Sequence, residues 1–296
     1  MKIIVTGSLG HISKPLTKTL VQNGHSVTVI SSKPEKQKDI EALGATAAIG
    51  SIEDVTFLAR TFTGSDAVYC MIPPNFHLDH NLDVVEYCRV ISENYAQAIQ
   101  QSGVKHVVHL SSIGAHLDKD SGLILAHHSA ENAFRKIPGI SLTHMRPTAF
   151  YYNLFGFVNR IKKEGVIASN YGAEDRIPWV SPIDIAAAVA EELVTPMEGL
   201  KVRYVASDEP TCNEIASLLG AAIGKPDLKW VIITNEETQS ALEAAGIPSR
   251  VAAGLVEMNA SIHTGLLSED YYRHRPTVLG KVKLVDFAKE FAAAFN

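Results

Sequence analysis

Cysteine is scarce in this 296-residue chain: Cys70, Cys88 and Cys212 are the only three, and none stands in a CxxC pair. An odd, scattered set excludes a disulfide scaffold and a zinc ribbon, and suits thiols acting as small apolar side chains in a reducing compartment. Long apolar runs are also missing. The first, Ile3 to Val5, is too short for the core of a signal peptide, and nothing approaches the ~18 residues of a membrane span. Nor is there an excess of positive charge. With 27 basic and 32 acidic residues well mixed, the net charge of -5 leaves no footprint for nucleic acid or an anionic membrane. These absences point to a cytoplasmic globular protein. A chain of this length can bury roughly three quarters of its unfolded surface, so its core needs no covalent or metal staple.

What is present is rhythm. Short apolar runs alternate with longer amphipathic ones, the pattern of βαβ units around a parallel sheet. Residues 2–5, "SVTVI", "ATAAIG", "DAVYCMI", "HVVHLSS" and "SLTHM" read as six strands. Helices are expected after the first strand (Ile12, Leu16 and Leu20 at helical spacing, with Gly24 as the stop), from about Asp83 to Gln101, and around Ser129 to Lys136. Beyond Arg146 the rhythm loosens into helices joined by aromatic-rich loops. "VRYVAS" reads as a further sheet strand, and residues from about 211 to 274 as helices with one short strand at "LKWVII". The expectation is an α/β chain with a Rossmann-type doubly wound parallel sheet. Residues 1–150 would form the dinucleotide-binding part, and residues 151–296 would complete the sheet and build a smaller, mostly helical substrate lobe.

The turn after the first strand, "TGSLGHIS", has the TGxxGxxS spacing, with Gly7, Gly10 and Ser13. In a dinucleotide fold the first glycine permits the tight turn, and the second lets backbone approach the pyrophosphate. The third position lets helix and strand pack closely. Serine there is small enough to serve. The pyrophosphate would rest on the helix N-terminus, where free N–H groups favour anions. A glycine pair alone is a weak signal, but this one follows a strand, opens a helix and begins a βαβ unit. At the end of the second strand, where a carboxylate would hold the ribose of NAD, the chain reads Ser31, Ser32, Lys33. Hydroxyls and an ammonium can bind a 2′-phosphate, so NADP is expected over NAD, with NADPH preferred to NADH.

The ensemble of "VTGSLGHISKPL", "SSKPEK", "DAVYCMIPP", "SGVKHVVHLSSIGAH", "MRPTAFYYNLF" and "WVSPIDIAAAV" resembles the NmrA-like family of atypical short-chain dehydrogenases/reductases, which includes quinone and triphenylmethane reductases. The resemblance implies that Thr6, Gly7, Leu9, Gly10, His11 and Ile12 contact the pyrophosphate side. Ser31, Ser32 and Lys33 would face the adenosine ribose, and Ile72, Pro73 and Pro74 would line the cofactor. Ser111 and Ser112 would lie near the nicotinamide, and Pro147, Thr148 and Phe150 would border the nicotinamide and substrate pocket.

The chain departs from ordinary short-chain dehydrogenases in its proton donor. None of its nine tyrosines has lysine four residues on, and where the Tyr-xxx-Lys pair belongs the sequence reads "LILAHHSAEN". His127 and His128 fall there and are the candidate catalytic residues, each against a reading as a packing or capping histidine. Tyr151 and Tyr152 are candidates for the substrate pocket. "NFHLDHN" sets His77, Asp79 and His80 close together, but no third ligand at helical spacing supports a metal site, and a polar loop is the expectation. Two functions remain open. One is an NAD(P)H-dependent reductase acting on an electron-poor small molecule such as a quinone. The other is a non-catalytic NAD(P)-binding regulator of the NmrA type, which would act through a protein partner.

Overall fold

The computed structural model describes residues 1–73 and 82–295. Its strands, in chain order, are β1 (Lys2–Val5), β2 (Ser26–Ser31), β3 (Thr46–Ile49), β4 (Ala67–Cys70), β5 (His106–Leu110), β6 (Ser141–Pro147), β7 (Ala149–Phe150), β8 (Val166–Ser169), β9 (Trp179–Val180), β10 (Leu200–Val205) and β11 (Lys229–Ile232). Seven of them form one sheet in the order β10-β6-β5-β4-β1-β2-β3, and every pairing in it is parallel. The pairs β11–β8 and β7–β9 are separate two-stranded sheets. The doubly wound α/β architecture expected from the sequence is the one observed, with β10 at the sheet edge beyond β6.

Alternation along the strands divides the core between the two faces of the sheet. Ile3, Val5, Val27, Val29, Val108 and Met145 pack beneath α1 (Ser13–Gln22) and α7 (Pro182–Val194). Ile4, Val68, Val107 and Leu142 point the other way, against α3 (Val55–Phe62), α4 (Val84–Ser102) and α5 (Leu125–Arg135). The helix ends follow local chemistry. The Asp83 carboxylate caps α4 by accepting the N–H groups of Val85 and Glu86, each at 3.1 Å, and Gly103 ends that helix in the left-handed conformation at φ +75°. Ser181 caps α7, with Pro182 in its first turn.

Three helices differ from the sequence reading, the first being the five-residue α2 (Gln37–Glu41), too short to show a periodic stripe. Helix α3 was not anticipated, although Asp54 caps it by accepting the N–H of Phe57 at 3.0 Å and Phe57, Leu58 and Phe62 form its buried stripe. Helix α5 starts at Leu125, several residues before the expected Ser129, because a 3-10 turn at Gly122–Ile124 runs directly into it without a capping side chain. His127 and His128 therefore lie within a helix. The strand β8 was also unread.

The C-terminal part carries α8 (Cys212–Ala222), α10 (Ser249–His263), α11 (Glu269–Arg273) and α12 (Leu284–Phe295), with a core around Trp179, Trp230, Phe287 and Phe291. Two carboxylates fasten its last segment, one of them Asp208, whose Oδ2 accepts Leu284 N–H at 2.6 Å. Asp184, in the first turn of α7, accepts Ser207 Oγ at 2.6 Å and the N–H groups of Lys281 and Val282 at 3.0 Å each. Residue 280 must be glycine for this approach, since a Cβ there would sit 2.3 Å from Asp184 Oδ2. Hydrogen bonds to a charged acceptor contribute about 1.5–3 kcal/mol each, and they do not add fully. Asp184→Ala is expected to cost about 3 kcal/mol of stability in urea unfolding. A loss below about 1 kcal/mol would mean that packing and the bonds to Ala206, Ser207 and Asp208 hold the segment without Asp184.

Candidate functional site

Chain order runs outward from β1 in both directions, through β2 and β3 on one side and β4, β5 and β6 on the other. In open α/β sheets the crevice at such a switch point, at the carboxyl ends of the strands, receives ligands. Here β1 and β4 stay tied beyond their ends. Thr6 N–H donates to Tyr69 O at 3.1 Å, and Met71 N–H donates to Thr6 Oγ1 at 2.8 Å. Gly7 follows at φ +87°, and a Cβ on it would lie 2.7 Å from Ser13 Oγ and 2.8 Å from Met71 Cγ. Backbone angle and space both require glycine. Gly10 N–H closes a tight turn onto Gly7 O at 3.1 Å, leaving Gly10 and His11 on an exposed rim. Ser13 earns its place in the third small position by donating its hydroxyl to Thr6 O at 2.8 Å. Leu9 packs against the α1–α7 core, and Ile12, preceding α1, supplies no side-chain cap. Lys14 N–H donates to Gly10 O and Leu16 N–H to Ile12 O, each at 3.0 Å, and Pro15 has none, so among the described residues the N–H groups left to meet an anion are those of His11, Ile12 and Ser13.

The second-strand triplet separates into two roles. Ser31 is buried, with its Oγ bonded to Ser8 Oγ at 2.9 Å and receiving Lys33 N–H at 3.2 Å, so it locks the glycine turn to the loop after β2. Ser32 and Lys33 are exposed. Lys36, next along, pairs with Asp39 at 3.2 Å. Ile72 and Pro73 follow β4 part-buried, Ile72 against the α3–α4 core. Pro74, and with it His77, Asp79 and His80, lies outside the described residues. Among the described residues, no group of three His, Cys, Asp or Glu side chains is arranged to hold a metal ion.

At the other end of the crevice, β5 and β6 also continue past their ends, through Ser111 N–H to Met145 O at 2.7 Å and Ile113 N–H to Pro147 O at 2.9 Å. Thr148 is buried, and its Oγ1 has no partner among the described residues. Tyr152 stacks on His11 at 4.8 Å between ring centroids and leans on Phe150 at 5.1 Å, joining this end to the glycine rim. Burial pushes its phenol up to about 12. Tyr151, expected beside the substrate, is instead a core residue. It is 1% exposed, stacks on Trp179 and Phe287, and donates its hydroxyl to Asp208 at 3.0 Å. Successive residues of this turn point in opposite directions, and the larger apolar cluster takes Tyr151.

The two histidines are unlike. His128 bonds through Nδ1 to Ala115 O at 3.0 Å and through Nε2 to Asn132 Nδ2 at 2.9 Å. A carbonyl needs a donor and an amide nitrogen needs an acceptor, so this is the neutral Nδ1–H tautomer with both nitrogens engaged. His127 makes no hydrogen bond among the described residues. Burial pushes its imidazole down to about 4, against a smaller upward pull from Glu131.

Sequence reasoning missed a buried polar network behind Ser111. Glu131, 0% exposed, accepts Ser111 Oγ at 2.6 Å, Arg146 Nε and Nη2 at 2.8 Å each, and Arg135 Nη2 at 2.6 Å. Burial works to raise its pKa, yet Arg146 and the Ser111 hydroxyl hold it below the ordinary value. Arg146 Nη1 goes on to Tyr204 OH and Asp270 Oδ2, each at 3.0 Å. On the same face His109 and His144, opposite each other in the β5–β6 register, meet Nδ1 to Nδ1 at 3.1 Å with both Nε2 atoms unpartnered among the described residues. The i,i+4 spacing of Glu131 and Arg135 was visible in the sequence, but the partner across the sheet, Arg146, had no local signal.

A parallel doubly wound sheet with a glycine turn at its switch point defines an α/β protein of the Rossmann-like fold. The chain belongs to the NmrA-like family, whose model matches residues 1–266. It is 26% identical over 302 residues to the NAD(P)H azoreductase of Xenophilus azovorans, covering 99% of each chain. Its structure is similar to that of the NADPH-dependent quinone oxidoreductase of Escherichia coli (TM-score 0.79, 20% identity, 99% of this chain and 100% of that one). It is also similar to the triphenylmethane reductase of Citrobacter sp. (TM-score 0.80, 21% identity, 98% and 100%).

The buried imidazoles make stability depend on pH. Burial first, then the neighbouring imidazoles, holds His109 well below its ordinary value, and burial pushes His144 down to about 4. These folded values, and that of His127, lie below the unfolded ~6.5, so the unfolded chain binds protons first as pH falls. Stability is therefore complete above about pH 6.5 and declines toward pH 4, by up to about 1.4 kcal/mol per pH unit for each histidine. Urea unfolding at about pH 7, 6 and 5 should show this decline, and the double change His109→Leu with His144→Leu should make it shallower, leaving the His127 contribution. A flat wild-type profile would contradict the assignment.

Proposed function

We propose that the protein is an NAD(P)H-dependent reductase that passes hydride to an electron-poor small molecule, with NADPH as its preferred donor. The observation that carries this reading is the proton inventory at the carboxyl ends of β5 and β6. Ser111 donates its hydroxyl in a hydrogen bond to Glu131, His128 has both nitrogens engaged, and Tyr151 is committed to Asp208. His127 is neutral at physiological pH and Tyr152 is a weakened acid. A ketone reduced here would become a localised, strongly basic alkoxide with no strong acid beside it. A quinone, azo or triphenylmethane acceptor delocalises or neutralises the charge, and its product can be protonated by solvent, so that positioning carries the rate. The similar proteins named above are reductases for such conjugated acceptors, and two of them have been solved with NADPH or NADP(H) bound.

The residues are compatible with a dinucleotide, since Gly7 lets the turn close tightly against Ser13 and Met71 and the buried Thr148 Oγ1 lacks a partner among the described residues. The turn from Thr6 to Ile12 would hold the pyrophosphate, with Ser13 and Ser31 shaping it from behind. Ser32 and Lys33 would receive a 2′-phosphate, with no carboxylate between residues 31 and 33 to repel it. Ser112, Pro147, Thr148 and Phe150 would border the reacting ring, and Tyr152 the acceptor. When bound, the reduced dinucleotide supplies the hydride. Residues 1–150 would thus carry the dinucleotide, and residues 151–296 would complete the sheet and enclose the acceptor.

NADPH should bind about tenfold more tightly than NADH, or ~1.4 kcal/mol, and Lys33→Asp should reverse the order. Equal or tighter binding of NADH by the wild type would refute the phosphate-site reading. In turnover assays, NADPH should be oxidised by small quinones or conjugated dyes and scarcely by simple ketones. A true general acid contributes about 10²–10⁴-fold, so His127→Ala should slow turnover by less than about tenfold. A hundredfold loss would assign proton donation to that imidazole. Tight NADPH binding with no oxidation by any acceptor would favour the regulator instead.

A further inference from the structure

Ser111 follows β5 at the carboxyl end of the sheet, on the strand next to β4 and the β4–β1 switch point, and is 2% exposed. Its neighbour Glu131 is ringed by donors: Ser111 Oγ and Arg146 Nε on Oε1, Arg146 Nη2 and Arg135 Nη2 on Oε2. Guanidinium groups donate and never accept, so both carboxylate oxygens must be acceptors, and the serine must be the donor in the 2.6 Å contact. A serine hydroxyl has one proton. With that proton held by Glu131, Ser111 has only lone pairs left to offer.

We propose that Glu131 fixes Ser111 as an acceptor-only group at the reacting end of the dinucleotide site, where it selects an N–H donor, the carboxamide nitrogen of the nicotinamide ring. The proposal rests on the reading of the crevice as a dinucleotide site. A carboxamide has a donor end and an acceptor end, and only the donor end can meet a hydroxyl whose proton is already committed. Such a partner distinguishes the two orientations of the amide and so favours one placement of the ring. It also denies a carbonyl oxygen the hydrogen bond that a free serine would give. Glu131 acts through Ser111 and is a positioning residue. Were the Glu131–Arg146 pair only a structural brace, changing it would lower stability and leave the preference between ligands untouched.

The test compares NADPH with its reduced 3-acetylpyridine analogue, in which a methyl group replaces the amide nitrogen, by calorimetric titration of the intact protein. Wild type should bind the carboxamide form about tenfold more tightly, the scale of one hydrogen bond lost with its acceptor left unmet. Ser111→Ala should bind both forms alike, and Ser111→Thr, which keeps the hydroxyl, should restore the preference. In Glu131→Gln the hydroxyl proton is released to turn toward either ligand, and the preference should shrink although Ser111 is present. If that variant does not fold, the two Ser111 variants decide the matter. A preference that persists in Ser111→Ala, or is absent from wild type, overturns the inference alone. Failure to bind any dinucleotide would overturn the dinucleotide reading, and this inference with it.

Discussion

Burying a charge in a protein is costly unless it is paired, and removing one partner of a buried pair typically destabilises by about 3–5 kcal/mol. Glu131 and Arg146 form such a pair at the centre of this molecule, and much of the candidate site is arranged around it. The carboxylate comes from α5, the guanidinium from β6, and Ser111 from the end of β5. Through Tyr204 and Asp270 the same guanidinium reaches β10 and α11. Helix α5 is thereby held in one rotation, which places His128 against the chain after β5 and leaves His127 without a partner among the described residues. Net stability of a folded protein is only about 5–15 kcal/mol, so a pair of this cost dictates where its neighbours stand.

The sheet and its glycine turn were legible because their signals are local. Apolar runs of period two, a helix stripe at Ile12, Leu16 and Leu20, and the spacing of Gly7 and Gly10 are all written in consecutive residues. Even the serine at the third small position made sense before its hydrogen bond to Thr6 was seen. Short elements were harder. Helix α3 has only eight residues, and β8, with four like β1, β3 and β4, lies beyond Arg146, where the regular alternation of strand and helix is lost. Over such lengths a periodic pattern hardly exceeds chance, though Asp54 before an apolar stripe was a usable capping signal. Helix α5 began earlier than expected because no capping side chain announces its start.

The site divided along the same line. The residues of the glycine turn could be named from spacing, while the separate structural jobs of their neighbours could not. Ser31 and Ser32 are adjacent and identical in type, yet one is sealed against Ser8 and the other faces solvent. Tyr151 and Tyr152 differ in the same way, one bound into the Trp179–Phe287 cluster and one stacked on His11. Which of two neighbours turns inward depends on the side chains it meets from distant parts of the chain, Asp208 for Tyr151 and Ser8 for Ser31. Arg146 is the extreme case, with partners 15, 58 and 124 residues away.

The polar network behind β5 invites comparison with a proton relay, and its chemistry argues against one. Each link between Glu131 and Asp270 passes through Arg146, whose guanidinium is held still more firmly protonated by Glu131 despite the opposing effect of burial. A group that neither releases nor accepts a proton cannot pass one on. His109 and His144 lie on the same face but bond to each other, as neutral rings, rather than to the carboxylate. The network can therefore orient and it can fix the direction of a hydrogen bond, but it cannot feed protons from Asp270 to the crevice. Under the proposed function, a reduction at such a site would leave a product that waits for solvent, and that requirement, more than the shape of any pocket, is the ground for proposing conjugated acceptors.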